Sequence, residues 1–366
     1  MRWGFVFQRP QHLMSRAARD RRVWFVEEPV LGAAAPRLHR TRTPEGVDLC
    51  VPHLPDGLSP EASAQAQAAL LDQLVMVEGL DAPLAWLYTP MMLPLVSTVA
   101  PRAVVYDCMD ELSAFRNAPP ELLLRERALF SVASLVFTGG RSLYQAKCGS
   151  HPRVHLFPSS VDTAHFGKAR AADIPEPAAL RGLPHPRIGW VGVIDERMDL
   201  DLLAGMARRR PDWSFVMIGP IAKIDPASVP LAPNIHWLGS RDYPDLPAHL
   251  AHLDVGIMPF ARNAATRFLS PTKTPEYLAA GLPVVSTPIR DVLQTYGQAG
   301  LASMAEGPDA FVAACEAALP TAQDPERLAR VDAFLARTSW DRTWAEMDPL
   351  VRACTDLPRV ASRSAR

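Results

Sequence analysis

Short runs of β-branched and aromatic residues alternate with segments of helical pattern along the whole chain. In the first half the runs are Val23–Val26, Val47–Val51, Leu84–Tyr88, Ala103–Tyr106, Leu135–Thr138 and Val154–Phe157. In the second half they are Arg187–Val193, Ser214–Ile218, Asn234–Leu238, Asp254–Met258 and Pro283–Ser286. Near-continuous apolar runs closed by turn residues mark strands buried on both faces. Helical patterns between such strands argue for parallel α/β sheets. Pro119-Pro120-Glu121 opens one helix with proline and acid in its first turn, and Asp199 to Arg209 forms another that ends on basic residues suited to the helix dipole. The pattern pauses once, over Gly167 to Pro186, which is rich in Ala, Pro and charge. At roughly 100–200 residues per domain, the 366 residues suit two domains. The expected division is a first Rossmann-like domain over 1–166, a linker over 167–186, a second over 187–338, and a closing helix and tail over 339–366. Ligands of doubly wound sheets bind beyond the carboxyl ends of the strands, so the cleft between two such domains is the default site.

Composition excludes several classes. Lys and Arg total 38 against 39 for Asp and Glu, a net charge of −1, which gives no bulk electrostatic case for nucleic acid. The five cysteines form no C-x-x-C pair and are odd in number, which predicts a reduced, cytosolic chain without a disulfide framework or zinc site. The first ten residues carry Arg2, Gln8 and Arg9 and do not read as a signal peptide. No stretch is apolar enough to span a bilayer. The arginine-rich segments Arg37–Arg42 and Arg208–Arg210 read as solvated faces, and the tail from Leu357 to Arg366 as frayed. No G-x-G-x-x-G follows the first strand of either domain, which argues against a nicotinamide dehydrogenase.

Three segments could carry chemistry. Ser270 to Thr287 reads as a loop, a helix from about Lys273 to Gly281, and a strand. Thr272 and Lys273 at the helix entry suit a phosphate, and Glu276 one turn in could accept from a ribose diol. The plainer alternative is a solvated lysine and a first-turn helix stabiliser, and spacing alone does not separate the two. Asp107, Asp110 and Glu111 follow a buried-type strand, where a carboxylate can act as general base on a hydroxyl. Asp110 is the first choice and Asp107 the second. A capping Asp107 and a solvated Glu111 are the alternative. Gln8-Arg9-Pro10-Gln11-His12 lies at a loop-to-helix junction, with Pro10 in the first turn.

These segments together resemble the GT-B fold glycosyltransferases, family 4-like, and a bacterial subgroup of teichuronic-acid or capsular-polysaccharide type. Pro271-Thr272-Lys273 through Glu276-Tyr277-Leu278-Ala279 to Gly281-Leu282-Pro283-Val284-Val285 is similar to the family's P-x-K-x-x-E-Y-L-A-x-G-x-P-V-V element. Phe157 to Phe166 is similar to its P-N-G-V-D element, with Ser159-Ser160 in place of Asn-Gly. Gly189-Trp190-Val191-Gly192 with Asp195-Glu196-Arg197 resembles the first strand and phosphate loop of its second domain, and Val104 to Glu111 and Gln8 to His12 resemble the subgroup.

The resemblance implies a nucleotide-sugar in the second domain. Glu276 would hold the ribose, Lys273 and Arg197 the diphosphate, Gly192 would let backbone approach the phosphates, and Met258 would line the base pocket. Gln8, Arg9 and His12 would contact the acceptor or the diphosphate across the cleft. Two departures stand out. Phe268 occupies the position of the first Glu in the family's E-x7-E pattern, and Met109 that of a histidine.

The expected activity is sugar transfer to a cell-surface polysaccharide or lipid-linked acceptor, with no metal and no cofactor beyond the donor itself. The expected place is cytoplasmic, at the inner face of the membrane with peripheral contact to it. A UDP-sugar epimerase of the same fold and a catalytically inactive sugar-nucleotide-binding protein are the alternatives. The first strand of the first domain is expected before Gln8. Trp3–Phe7 would serve poorly as that strand, or a further strand would precede it. Ser339 is expected to cap a last helix that crosses back to the first domain.

Overall fold

The computed structural model describes residues 2–355. The expectation for the tail beyond Leu357 lies outside them. The second half forms one six-stranded parallel sheet from β9 (Arg187–Val191), β10 (Ser214–Ile218), β11 (Ile235–Gly239), β12 (Val255–Met258), β13 (Val284–Ser286) and β14 (Ser303–Met304), in the order β11-β10-β9-β12-β13-β14. Chain direction along the sheet reverses between β9 and β12, and that switch point opens a crevice at their carboxyl ends. Strands β9, β10, β12 and β13 are buried at every residue. That follows from helices on both faces of a parallel sheet, and explains the near-continuous apolar runs. Trp190, Trp213, Phe215, Tyr277 and Phe311 are among the side chains of one continuous core.

The first half is less regular than one doubly wound sheet. β5 (Leu84–Leu87), β6 (Ala103–Cys108), β7 (Leu135–Thr138) and β8 (Val154–Leu156) form a parallel sheet in sequence order. A separate sheet holds β1 (Trp24–Val26) and β2 (Val30–Leu31) along one edge of β4 (Asp48–Leu54), with β3 (Arg37–Arg42) antiparallel on the other. β3 is the arginine-rich segment expected to be only a solvated face. It is solvated and still a strand. Its residues are almost all exposed, so no apolar alternation marks it, and its charges suit an edge.

Residues 2–8 form no strand. They are a turn fixed by two buried side chains. Glu27 accepts from the Trp3 amide at 2.8 Å, and Gln11 donates to the carbonyls of Trp3 at 2.8 Å and Val6 at 2.9 Å. The last helix, Trp340–Thr355, packs on the first half. Its Trp340, Met347 and Val351 share a core with Leu13, Phe25 and Val105. Among the described residues, all five cysteines are free, and no helix is long and apolar enough to cross a membrane.

Candidate functional site

The main cleft lies between the halves, over the switch point of the six-stranded sheet. Its floor is two glycines. Gly192 follows β9 with φ +144, Gly219 follows β10 with φ +141, and a Cβ on Gly219 would run into the Gly192 carbonyl. Both conformations are ones that side-chain-bearing residues rarely adopt. A Cβ on Gly192 would in turn strike the end of the Lys273 side chain, 2.5 Å from Nζ. The ammonium sits 4.7 Å from the Trp190 ring centroid. Burial, aided by the neighbouring Arg197 charge, brings Lys273 down to about 8.

The helix Lys273–Ala279 is held against β9 by Tyr277, whose hydroxyl accepts from the Val191 amide at 2.7 Å. Gly256 on β12 leaves the space that the Tyr277 ring fills. One turn in from Lys273, burial raises the Glu276 carboxyl to about 7, with the Lys273 charge and a Thr272 hydrogen bond opposing. Thr272 lines the cleft at the helix entry. Arg197 also lines it, gripped by Asp195 through Nε at 2.9 and 3.1 Å and Nη2 at 2.7 Å. Burial works against the Arg197 charge, yet the Asp195 hydrogen bonds and the Asp110 and Asp195 charges raise its pKa above the ordinary arginine value. Met258 does not line the cleft. It is fully buried in the core of the sheet, with its sulfur 3.4 Å from the Thr274 hydroxyl.

The three acids at the end of β6 and in the loop after it meet three fates. Asp107 is 0% exposed and Arg9 2%. Arg9 Nε donates to the Asp107 carboxylate at 2.9 and 3.1 Å, Nη2 stands 2.9 Å from it, and Nη1 donates to the Phe157 carbonyl at 2.7 Å. Burial raises the Asp107 pKa and Arg9 opposes it. So enclosed, Asp107 has no path to an acceptor hydroxyl, and Arg9, which lines the cleft, spends its guanidinium on Asp107 and the Phe157 carbonyl. Glu111 pairs with Lys147 at 2.7 Å and accepts from the Ser113 hydroxyl at 2.6 Å. Lys147 also pairs with Glu126 at 2.7 Å. Asp110 alone of the three lines the cleft, and its charge acts on both Arg197 and Lys273 from the opposite wall.

Gln8 lines the same wall and closes a capping box with Gln11 at the start of the helix Arg9–Ala17. His12 is buried away from the cleft. Its ring stacks on Trp340 at 4.7 Å, with Phe7 at 4.8 Å edge-on. Burial, with Arg16 and His165, brings it down to about 3, so it is a neutral packing imidazole. Phe268 packs against the first half's core beside Leu87 and Leu143. Among the described residues, no group of three or more His, Cys, Asp or Glu could hold a metal ion.

A crevice at a switch point, floored by glycines and lined by a buried cation and a buried acid, suits a nucleotide diphosphate. Residues 185–320 match the family described as glycosyl transferases group 1. A sucrose-phosphate synthase from Thermosynechococcus elongatus has the same fold, with a TM-score of 0.67 at 15% identity over 94% of this chain and 91% of that one. The chain has the GT-B fold, and its second half matches a glycosyl transferase family. A Bacillus subtilis (strain 168) protein named for teichuronic acid biosynthesis, the glycosyltransferase TuaH, is 27% identical over 68% of this chain and 67% of its own length. Anabaena HepE, solved in complex with UDP-glucose, has a TM-score of 0.60 at 14% identity over 84% of this chain and 87% of its own.

The cleft also contains residues that sequence reasoning missed. Tyr243 joins the halves, stacked on His165 at 4.1 Å and on Phe7 at 4.6 Å. Trp190 faces Lys273, and Phe5 stands 49% exposed at the first half's wall.

Proposed function

We propose that the protein moves a sugar from a nucleotide-sugar to a hydroxyl of a cell-surface polysaccharide or glycolipid. In this reading residues 187–338 bind the donor, residues 1–166 bind the acceptor, 167–186 link them, and the last segment from 339 crosses back. The observation that carries it is the Lys273–Glu276 pair, desolvated beside Gly192 at the switch point. Lys273 supplies positive charge for the diphosphate and Glu276 accepts from the ribose hydroxyls. Arg197 adds a second cation as charge develops on the leaving group. The acceptor oxygen bonds to the anomeric carbon while the bond from that carbon to the phosphate oxygen breaks. The diphosphate leaves with the electron pair, and Asp110 takes the acceptor's proton. The structure of HepE with UDP-glucose and the naming of TuaH support a nucleotide-sugar donor and an envelope polymer as acceptor. The reading requires no resident cofactor or metal, and places the protein in the cytoplasm against the membrane that carries such acceptors.

The test is thermal shift and calorimetric titration with UDP, GDP, ADP and dTDP, on the wild type and Glu276→Ala. Stabilisation by one diphosphate, lost in the variant, is expected. A folded wild type that binds none of the four would overturn the donor site.

A further inference from the structure

Gly139 and Gly140 follow β7, and both stand in close approach to their neighbours. A Cβ on Gly139 would stand 3.1 Å from the Met109 carbonyl oxygen, and one on Gly140 would stand 2.6 Å from both Asp291 Oδ2 and Ser270 Cβ. Gly140 has an extended backbone, with φ −164, so close approach is what calls for glycine there. The neighbours belong to opposite walls of the cleft. Met109 precedes Asp110 in the first half, and Ser270 precedes Thr272 and Lys273 in the second. The turn is tied down on both sides. Its Gly139 amide donates to the Cys108 carbonyl at 2.9 Å. The buried Asp291 carboxylate, from the second half, accepts from the Ser142 amide at 3.1 and 3.3 Å and from the Ser142 hydroxyl.

We propose that this turn, clamped by Asp291, sets the register of the two halves, and that Gly140 and Asp291 are positioning residues for transfer. The proposal rests on the roles given above to Asp110 and Lys273. The turn fills the space between the loops that carry them. One added methyl group at Gly140 pushes the loops apart, whereas the diphosphate contacts lie within the second half and stay intact. A displacement of about 1 Å from the reactive geometry can cost on the order of 10²-fold in rate.

The test uses the full chain with Gly140→Ala, Asp291→Ala and the shape-conserving Asp291→Asn. Three quantities are read. The first is the small-angle scattering profile without ligand. The second is the Kd of whichever of UDP, GDP, ADP or dTDP stabilises the wild type. The third is kcat for release of that diphosphate from its glucose conjugate, with water as acceptor. The expected result is a changed scattering profile and a loss in kcat on the order of 10²-fold for the two alanine variants, with Kd within about twofold of wild type and Asp291→Asn between. An unchanged profile overturns the proposal, as does a Kd that weakens in step with kcat, which would mark a merely structural role. If Gly140→Ala does not fold, Asp291→Asn carries the same readouts. If the wild type binds no nucleotide, the functional reading fails, and the scattering comparison alone still decides the register.

Discussion

The two halves are made of similar elements and held together differently. The second has an unbroken six-stranded sheet and one continuous core. The first has two separate sheets and several smaller clusters. Where the first half lacks a continuous sheet, buried charge takes over. Arg9–Asp107 ties the first helix to the end of β6, and Lys147 ties Glu111 to Glu126. A continuous parallel sheet fixes most of its carboxyl-end loops by backbone ladder, with Asp195–Arg197 as an added tie, and among the described residues Lys273 and Glu276 make no ion pair there. The interrupted half commits Asp107 and Glu111 to such ties, and only Asp110 of its acidic trio is left facing the cleft.

The largest expected effect breaks this comparison on the first side. Asp107→Ala leaves the Arg9 guanidinium buried without its counter-ion, and such a loss costs about 3–5 kcal/mol. Urea denaturation should show that loss while nucleotide binding in the second half persists below the transition. A variant as stable as wild type would mean the pair does not hold the first half together.

On the second side, pH sharpens the contrast. Glu276 stands at about 7 and Lys273 at about 8, and donor binding wants the acid ionised and the amine charged. Diphosphate affinity should rise as pH climbs through about 7 and fall as it climbs past about 8. Without ligand the consequence for folding differs. The folded Glu276 carboxyl lies above its unfolded value, so its contribution to stability is fully present below that value and is lost as pH rises through about 7. Glu276→Gln should flatten the acid limb of the affinity profile and remove this loss, both readable by titration and by denaturation across pH. An acid limb that survives in Glu276→Gln would assign it to another group.

The smallest effect is on the surface. The exposed pair Arg342–Glu346 at 3.1 Å lies on the last helix, and Arg342→Ala should change stability by less than about 0.5 kcal/mol. A larger change in thermal denaturation would mean that surface charge, and not the Trp340 side of the helix, docks it.

Legibility followed burial. Runs such as Ser214–Ile218 and Leu135–Thr138 are buried at every residue and were readable as strands from composition alone. β3 was not, because exposure on both faces erases the apolar period. The site was legible where one segment supplies several groups. Thr272, Lys273 and Glu276 sit on one helix entry, and the structure brings them to the cleft together with Gly192 and Arg197. It was not legible where neighbours in sequence part company. Asp107 and Asp110 are separated only by Cys108 and Met109, yet one is sealed against Arg9 and the other faces Arg197 and Lys273. His12 read as a cleft contact and is a packed ring on Trp340, a partner more than three hundred residues away in the chain.

By itself the sequence determined the parallel α/β class, the family resemblance and the grouping of Thr272, Lys273 and Glu276 at one helix entry. Each of these is written in short-range pattern: burial on both faces, turn residues at strand ends, a cation and an acid one helical turn apart. The tertiary structure decided which acid faces the cleft, which carboxylate each cleft arginine pairs with, and how Gly140 meets Asp291. Those outcomes depend on which distant side chain arrives to neutralise or exclude a group, and the cost of burying an unpaired charge makes that arrival decisive.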